Sequence, residues 1–335
     1  MKFVIRIAAL CICLACAPAG ALAQQTVIKL GTVAPEGSVW YNVLEKMKQE
    51  MEKASKGTVT VRIFHSGRQG DESEMVRSVR QGTTLNAVAL SGAGLSQVDK
   101  SINALHIPML INSYAQLDYV RKQLEPKLER AIESKGFIVL NWSDVGWVQF
   151  FTKNAARTPD DIRKLRLFTS TGDPDTEQIY KELGFRPVPT GANEIVTALQ
   201  TDRIEAIDVP PILALVNQSF GIAKNMIDMK WSPLIGATLV SRESWEKIPE
   251  PLRGELHRIA RKAGEDLRAQ IRRGGDDAVK AMVERKLNVI TLTDAEKALW
   301  RKEAEAAYPK IRGRLVPADL FDEAVRLSRE YQPAK

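Results

Sequence analysis

The residue types that carry most enzyme chemistry are sparse in this chain and do not converge. There are three histidines, His65, His106 and His257. None lies three or four residues from another, so no helix face offers the paired imidazoles of a zinc site. The three cysteines, Cys11, Cys13 and Cys16, sit together near the N-terminus. No G-x-S-x-G nucleophile elbow and no G-x-x-x-x-G-K phosphate loop occurs. Ser91-Gly-Ala-Gly94 is too short a glycine run to count as one. With no nucleophile, base or metal set, the chain reads as a protein that holds a small molecule without altering it. No cofactor, metal or catalytic residue is expected.

Residues suited to holding a ligand are easier to find. Trp142 ends a predicted strand and is the first candidate for a pocket wall, with a core tryptophan as the alternative. Trp231 carries a weaker version of the same reading. Trp40 lies on the apolar stripe of its helix, yet that helix begins where a cleft would lie. Asp208, just before Pro210-Pro211, can accept a hydrogen bond from a ligand hydroxyl or amine, or cap the turn. Ser91 and Thr169 are small donors at strand ends. Arg68, before Gln69-Gly70, is a possible anion partner. Glu72 opens the following helix and is either a ligand contact or compensation for the helix dipole.

The elements that must position these residues follow from periodicity. Thr26–Thr32 reads as a strand, and Trp40, Val43, Leu44, Met47 and Met51 keep helical spacing after a Ser38 cap. Strands are expected at 58–64 and 87–90, with a short helix between them. Tyr114–Lys135 is a long helix stopped by Gly136. Strands follow at 137–142, 165–169, 186–189 and 206–209, with helices between. This rhythm is that of a parallel sheet with helices on its faces, an α/β fold. A very long helix at about 251–286 keeps one apolar face, with Gly264 and Gly274-Gly275 as interruptions and a bend expected there. In such sheets ligands sit beyond the carboxyl ends of the strands. The stretch Val139–Pro174, with two tryptophans and a Gly-Asp-Pro loop, is where the chain is expected to cross between two units.

Composition sets the class and the address. The chain has 335 residues, 44% hydrophobic and 27% charged, with a formal charge of +7. That is an ordinary globular make-up. The modest positive excess mildly favours anionic ligands. It forms no basic block with interleaved aromatics, so nucleic acid is not an expected partner. Lys2 and Arg6, an apolar run at 7–16 and Ala21-Leu22-Ala23 form a secretory leader, 1–23, followed by a mature chain without cysteine. A lipid-modified Cys16 is the alternative, although Cys13 stands where such leaders carry leucine. No later run approaches the ~18 apolar residues of a membrane span.

Several stretches together resemble one family: L-G-T-V-A-P-E-G-S-V-W (30–40), R-Q-G-D-E-S-E (68–74), T-P-D-D-I-R-K-L-R-L (158–167), T-A-L-Q-T-D-R-I-E-A-I-D (197–208) and W-S-P (231–233). Their order and spacing are those of solute-binding proteins of tripartite ATP-independent periplasmic (TRAP) transporters. The resemblance implies a periplasmic-binding-protein-like fold, with two α/β lobes around a cleft and a long helix spanning both. Lobe I is expected at 24–148 plus about 235–255, and lobe II at 149–234 plus about 275–335. It further implies a small organic acid as ligand and a membrane permease as partner. A ligand-presenting subunit for a receptor kinase is the alternative. The family usually places a carboxylate-gripping arginine after T-P-x-D-L-K-G-L-K-I. Here that place is Phe168, and the family's later amide falls on Val209. The ligand is therefore expected to have a larger apolar or aromatic part than a simple dicarboxylate. Arg166, two residues before Phe168 and on the same strand face, is the substitute cation to consider; its other reading is a solvated surface charge.

Overall fold

The computed structural model describes residues 25–333; the leader at 1–23 lies outside them. The chain opens with β1 (Thr26–Thr32), α1 (Val39–Ala54), β2 (Val59–Phe64), α2 (Glu72–Arg80) and β3 (Ala87–Ser91). Ser38 caps α1, its hydroxyl accepting from Tyr41 N at 3.3 Å, and Val43, Leu44, Met47 and Met51 form the buried face. Strand β1 lies parallel between β2 and β3. The Ser91-Gly-Ala-Gly94 stretch that ends the strand leads directly into α3 (Gly92–Val98). Glycine is needed at 92, because a Cβ there would stand 2.1 Å from His106 Cε1. A 3-10 turn at Lys100–Leu105 leads to α4 (Tyr114–Ser134), which ends at Gly136 with φ 86°.

The crossing is made by a single strand, β4 (Phe137–Thr152), 16 residues long. The sequence predicts a strand at 137–142 only, with the crossing placed within Val139–Pro174. Strand β4 stays whole because one partner runs beside it almost throughout. That partner is β9 (Ser232–Ser241), antiparallel from Phe137↔Ser241 to Val148↔Ser232, with register shifts at Val139/Asn141 and Asp144/Gly146. The first lobe's edge of β9 pairs antiparallel with β3. The expectation of a wholly parallel sheet is thus corrected. The chain enters the second lobe along β4 and returns along β9, and this forces those strands to oppose each other.

Between the two crossings lie α5 (Pro159–Arg163), β5 (Arg166–Ser170), α6 (Pro174–Glu182), β6 (Arg186–Thr190), α7 (Ile195–Gln200), β7 (Ala206–Val209), α8 (Pro211–Val216) and β8 (Asn225–Ile227). The continuous strand order is β2-β1-β3-β9-β4-β7-β5-β6. After β9 come α9 (Arg242–Glu246), α10 (Glu250–Glu284), β10 (Asn288–Ile290), α11 (Asp294–Ile311) and α12 (Ala318–Glu330). Strand β10 pairs β8 in the second lobe.

Helix α10 runs 35 residues without a break in assignment through Gly264, Gly274 and Gly275, so the expected interruption does not occur. Leu256, Ile259 and Ala260 pack on the first lobe's core, and Met282 on the second's. Gly264 marks the closest approach, since a Cβ there would lie 2.5 Å from the carbonyl oxygen of Trp142. The end of the chain departs from expectation. Residues 275–335 were expected with lobe II, but α12 returns to α4. Phe321, Ala324 and Leu327 join the cluster holding Leu117 and Val120, and Gln116 Nε2 donates to Ser328 O at 2.9 Å. The apolar faces of α4 and α12 match each other better than they match water. No helix among the described residues is long and apolar enough to cross a membrane.

Candidate functional site

The carboxyl ends of the first lobe's strands carry a rigid polar rim. After β2 the backbone turns through left-handed Ser66 (φ 56°) and Gly67 (φ 67°). It is pinned by Ser66 N to Ala34 O at 2.9 Å and Gly67 N to Thr32 O at 3.1 Å. This turn displays Arg68, which is exposed and takes part in none of the ion pairs among the described residues. Asp71 then caps α2 in a capping box with Glu74. Glu72 accepts from Ser91 N at 2.6 Å, Ser91 Oγ at 2.6 Å and Gly94 N at 3.0 Å. Burial pushes the Glu72 carboxyl above its ordinary range, against the pull of these donors. Glu72 and Ser91 are committed to each other and tie α2 to the β3–α3 turn.

On the second lobe, Phe168 is half-buried and packs against the cluster that holds Ile195, Ile207 and Val209. Of the two apolar replacements for polar positions, Phe168 thus sits at the margin of the second lobe's core and Val209 is buried inside it. Thr169 points to the opposite sheet face and is buried. On that face Asp208, half-buried at the end of β7, accepts from the Tyr180 hydroxyl at 2.8 Å. Burial pushes its carboxyl up to about 7, opposed by the Tyr180 bond and assisted by Asp173. Trp231 lies beside the Tyr180 hydroxyl and edge-on to Phe150 and Trp300, with centroids 5.6 and 5.7 Å away. It is a buried core ring that backs the Tyr180 hydroxyl.

Three predicted residues are placed apart from this group. Trp142 is buried in the first lobe's core cluster, and its Nε1 donates to Glu129 of α4 at 3.1 Å. Arg166 begins β5 rather than ending it. Its Nε donates to Asp202 O at 2.9 Å, and its guanidinium pairs with Glu205 at 3.3 Å. It therefore stays at the amino end of the strand, the end away from the rim. Trp40 lies in a small junction cluster with Leu267 and Ile271 of α10 and Ile212 of α8. It joins the lobes from behind, with its Nε1 buried and unpartnered among the described residues.

Other contributors carried no sequence signal strong enough to single them out. The lobes meet across the rim through Thr171 Oγ1, which donates to Asp71 Oδ2 at 3.0 Å, through Gln97 Nε2 to Gly172 O, and through Lys100 to Asp175. These pairs lie far apart in sequence, and only the folded crossing brings them together. The Gly172-Asp173-Pro174 loop was legible as a loop, but its partner was not. Behind the cleft, Arg272 of α10 binds Asp144 of β4 at 2.7 Å and Asp118 of α4 at 2.6 Å. Arg121 holds the other oxygen of Asp144 at 2.9 Å. Asp144 is only 1% exposed, so these two guanidiniums fix the strand, α4 and the long helix at the crossing.

Two lobes joined by two strands, with polar strand ends facing across a rim, define a solute-binding protein. The chain belongs to the bacterial extracellular solute-binding proteins of family 7, whose model matches residues 30–314. It is 26% identical over 259 residues to the 2,3-diketo-L-gulonate-binding periplasmic protein YiaO of Escherichia coli, covering 75% of this chain and 76% of that one. It is 21% identical over 246 residues to the sialic acid-binding periplasmic protein SiaP of Vibrio cholerae, covering 72% and 75%. Solved TRAP periplasmic solute-binding proteins share the fold. The one from Xanthobacter autotrophicus with bound β-D-galacturonate superposes with a TM-score of 0.82 at 18% identity, over 90% of this chain and 99% of that one. The one from Pseudomonas putida F1 with bound D-glucuronate gives 0.83 at 19%, over 92% and 98%.

Proposed function

We propose that this chain is the periplasmic capture subunit of a TRAP-type secondary transporter, and that its solute is a small organic acid with an apolar or aromatic part. The acid is read from the relatives, whose names specify 2,3-diketo-L-gulonate and sialic acid, and from Arg68, held exposed on a rigid turn. The apolar part is read from one observation: Phe168, half-buried, stands where the family's arginine is expected and packs at the margin of the buried cluster that holds Val209. A buried aromatic ring contributes ~1.5–3 kcal/mol of binding only when the ligand surface against it is apolar. Capture works by closure: rim bonds such as Asp71–Thr171 exist only when the lobes meet, so a solute that bridges them shifts the equilibrium to the closed form. The closed surface is then what the membrane permease receives.

A thermal-shift screen of succinate, D-glucuronate, orotate and neutral aromatic compounds tests this reading. An acid with a ring or apolar arm is expected to stabilise most. If succinate stabilises most and Phe168→Arg weakens it, the reading of Phe168 is wrong.

A further inference from the structure

We propose that Asp208 meets the solute as a neutral carboxylic acid, oriented by Tyr180 and donating a hydrogen bond from its second oxygen to an anionic or carbonyl oxygen of the ligand. The proposal deepens the reading of the cleft as an organic-acid site and rests on it. Geometry carries it. Tyr180, from α6, donates its phenolic proton to Asp208 Oδ2 at 2.8 Å, which fixes that oxygen as an acceptor. Besides Tyr180 only the residue's own backbone N–H donates to the carboxyl; its other oxygen has no side-chain partner among the described residues, and the residue is half-buried at the carboxyl end of β7, the end where a parallel sheet receives its ligand.

The groups that face this carboxyl come from every side. Tyr180 comes from α6 and Asp173 from the loop before it; Trp231, from the segment entering β9, lies on the Tyr180 hydroxyl rather than on the carboxyl. Strand β4 presents Phe150 opposite Asp208, and β5 presents Thr169 beyond the Leu167–Ala206 pair. None is a cation, and Asp173 is itself an anion. An uncompensated carboxylate is disfavoured in such a setting, so the proton is retained to about 7. A retained proton gives the second lobe a donor that Phe168 and Val209 cannot supply. A single O–H lacks the two-pronged grip of a guanidinium. It is compatible with a ligand whose remaining surface lies against Phe168, which is half-buried.

The first test needs no ligand. The protein is labelled with carboxyl-13C aspartate and titrated, with Asp208→Asn assigning the resonance. A midpoint near 7 is expected, moving up in Tyr180→Phe because the lost hydroxyl stabilised the charged form. A midpoint below about 5 overturns the proposal, as does an unmoved midpoint in Tyr180→Phe for the positioning role. The second test is calorimetry with succinate, D-glucuronate and orotate from pH 5.5 to 9. Affinity for whichever binds best is expected to fall approaching tenfold per pH unit above about 7, and to stay flat in Asp208→Asn, whose amide donates at every pH. Binding that is flat in the native protein overturns the proposal while leaving the organic-acid site intact. Failure of all three acids to bind overturns the organic-acid reading, and donation to a solute falls with it.

Discussion

Phe168 and Arg166 share a strand face, and substitutions separate their roles. Phe168→Ala is expected to weaken binding of an aromatic acid such as orotate at least tenfold while changing succinate much less, because the ring contributes only against apolar ligand surface. Parallel losses for both acids, measured by calorimetry, would reduce Phe168 to a packing residue. Arg166→Ala is expected to leave affinity for either acid unchanged, since Arg166 is held by Glu205 and Asp202 at the far end of β5. Two buried titrations act on stability in opposite senses. His106, whose Nε2 accepts from Ile235 N at 3.2 Å, is lowered to about 4 by burial. The unfolded chain then takes up the proton first, so His106 withdraws stability as pH falls from about 6.5 to about 4. Asp208 is raised, so its folded form holds the proton longer, and stability is lost as pH rises from about 4 through about 7. Asp208→Asn is therefore expected to raise the melting temperature at pH 8 relative to the native protein and not at pH 4.

Helix α10 shows how elements divide duties that look alike in sequence. Gly264, Gly274 and Gly275 all read as interruptions. Only Gly264 lies against a backbone, where a methyl group would meet Trp142 O at 2.5 Å. Gly264→Ala is expected to destabilise by ~1–3 kcal/mol through overpacking. Gly275 has open space around its would-be Cβ, and Gly275→Ala is expected to stabilise by ~0.5–1 kcal/mol as a plain gain in helix propensity. Thermal unfolding of the two variants decides whether the helix is pressed onto β4 as described; equal shifts would mean it is not. The same limit applies to β4. Its polar centre reads as a break because periodicity is local, whereas its continuity comes from β9, about ninety residues away in sequence.

At the scale of the molecule, the lobes touch through bonds that opening would break, so scattering should report a smaller radius of gyration with saturating solute than without. Thr171→Val, which removes one rim bond to Asp71 and touches no proposed solute contact, is expected to weaken affinity a few-fold by favouring the open form. An unchanged radius on saturation would count against capture by closure. The α/β rhythm, the long helix and the family were legible because they rest on local periodicity and on short motifs in fixed order. The roles of Glu72, Ser91, Trp142 and Arg166 were not. Each is a polar or aromatic side chain whose partner is set by packing of other segments: Ser91 for Glu72, Glu129 for Trp142, Glu205 for Arg166. By itself the sequence determined which segments become helices and strands and which chemistry is lacking, because side-chain type and spacing act within a few residues. The tertiary structure alone decided which of those ends face one another, because the second lobe is reached along β4 and left along β9, and that double crossing brings Asp71 to Thr171 and sets Asp208 beside Tyr180 without a countercharge.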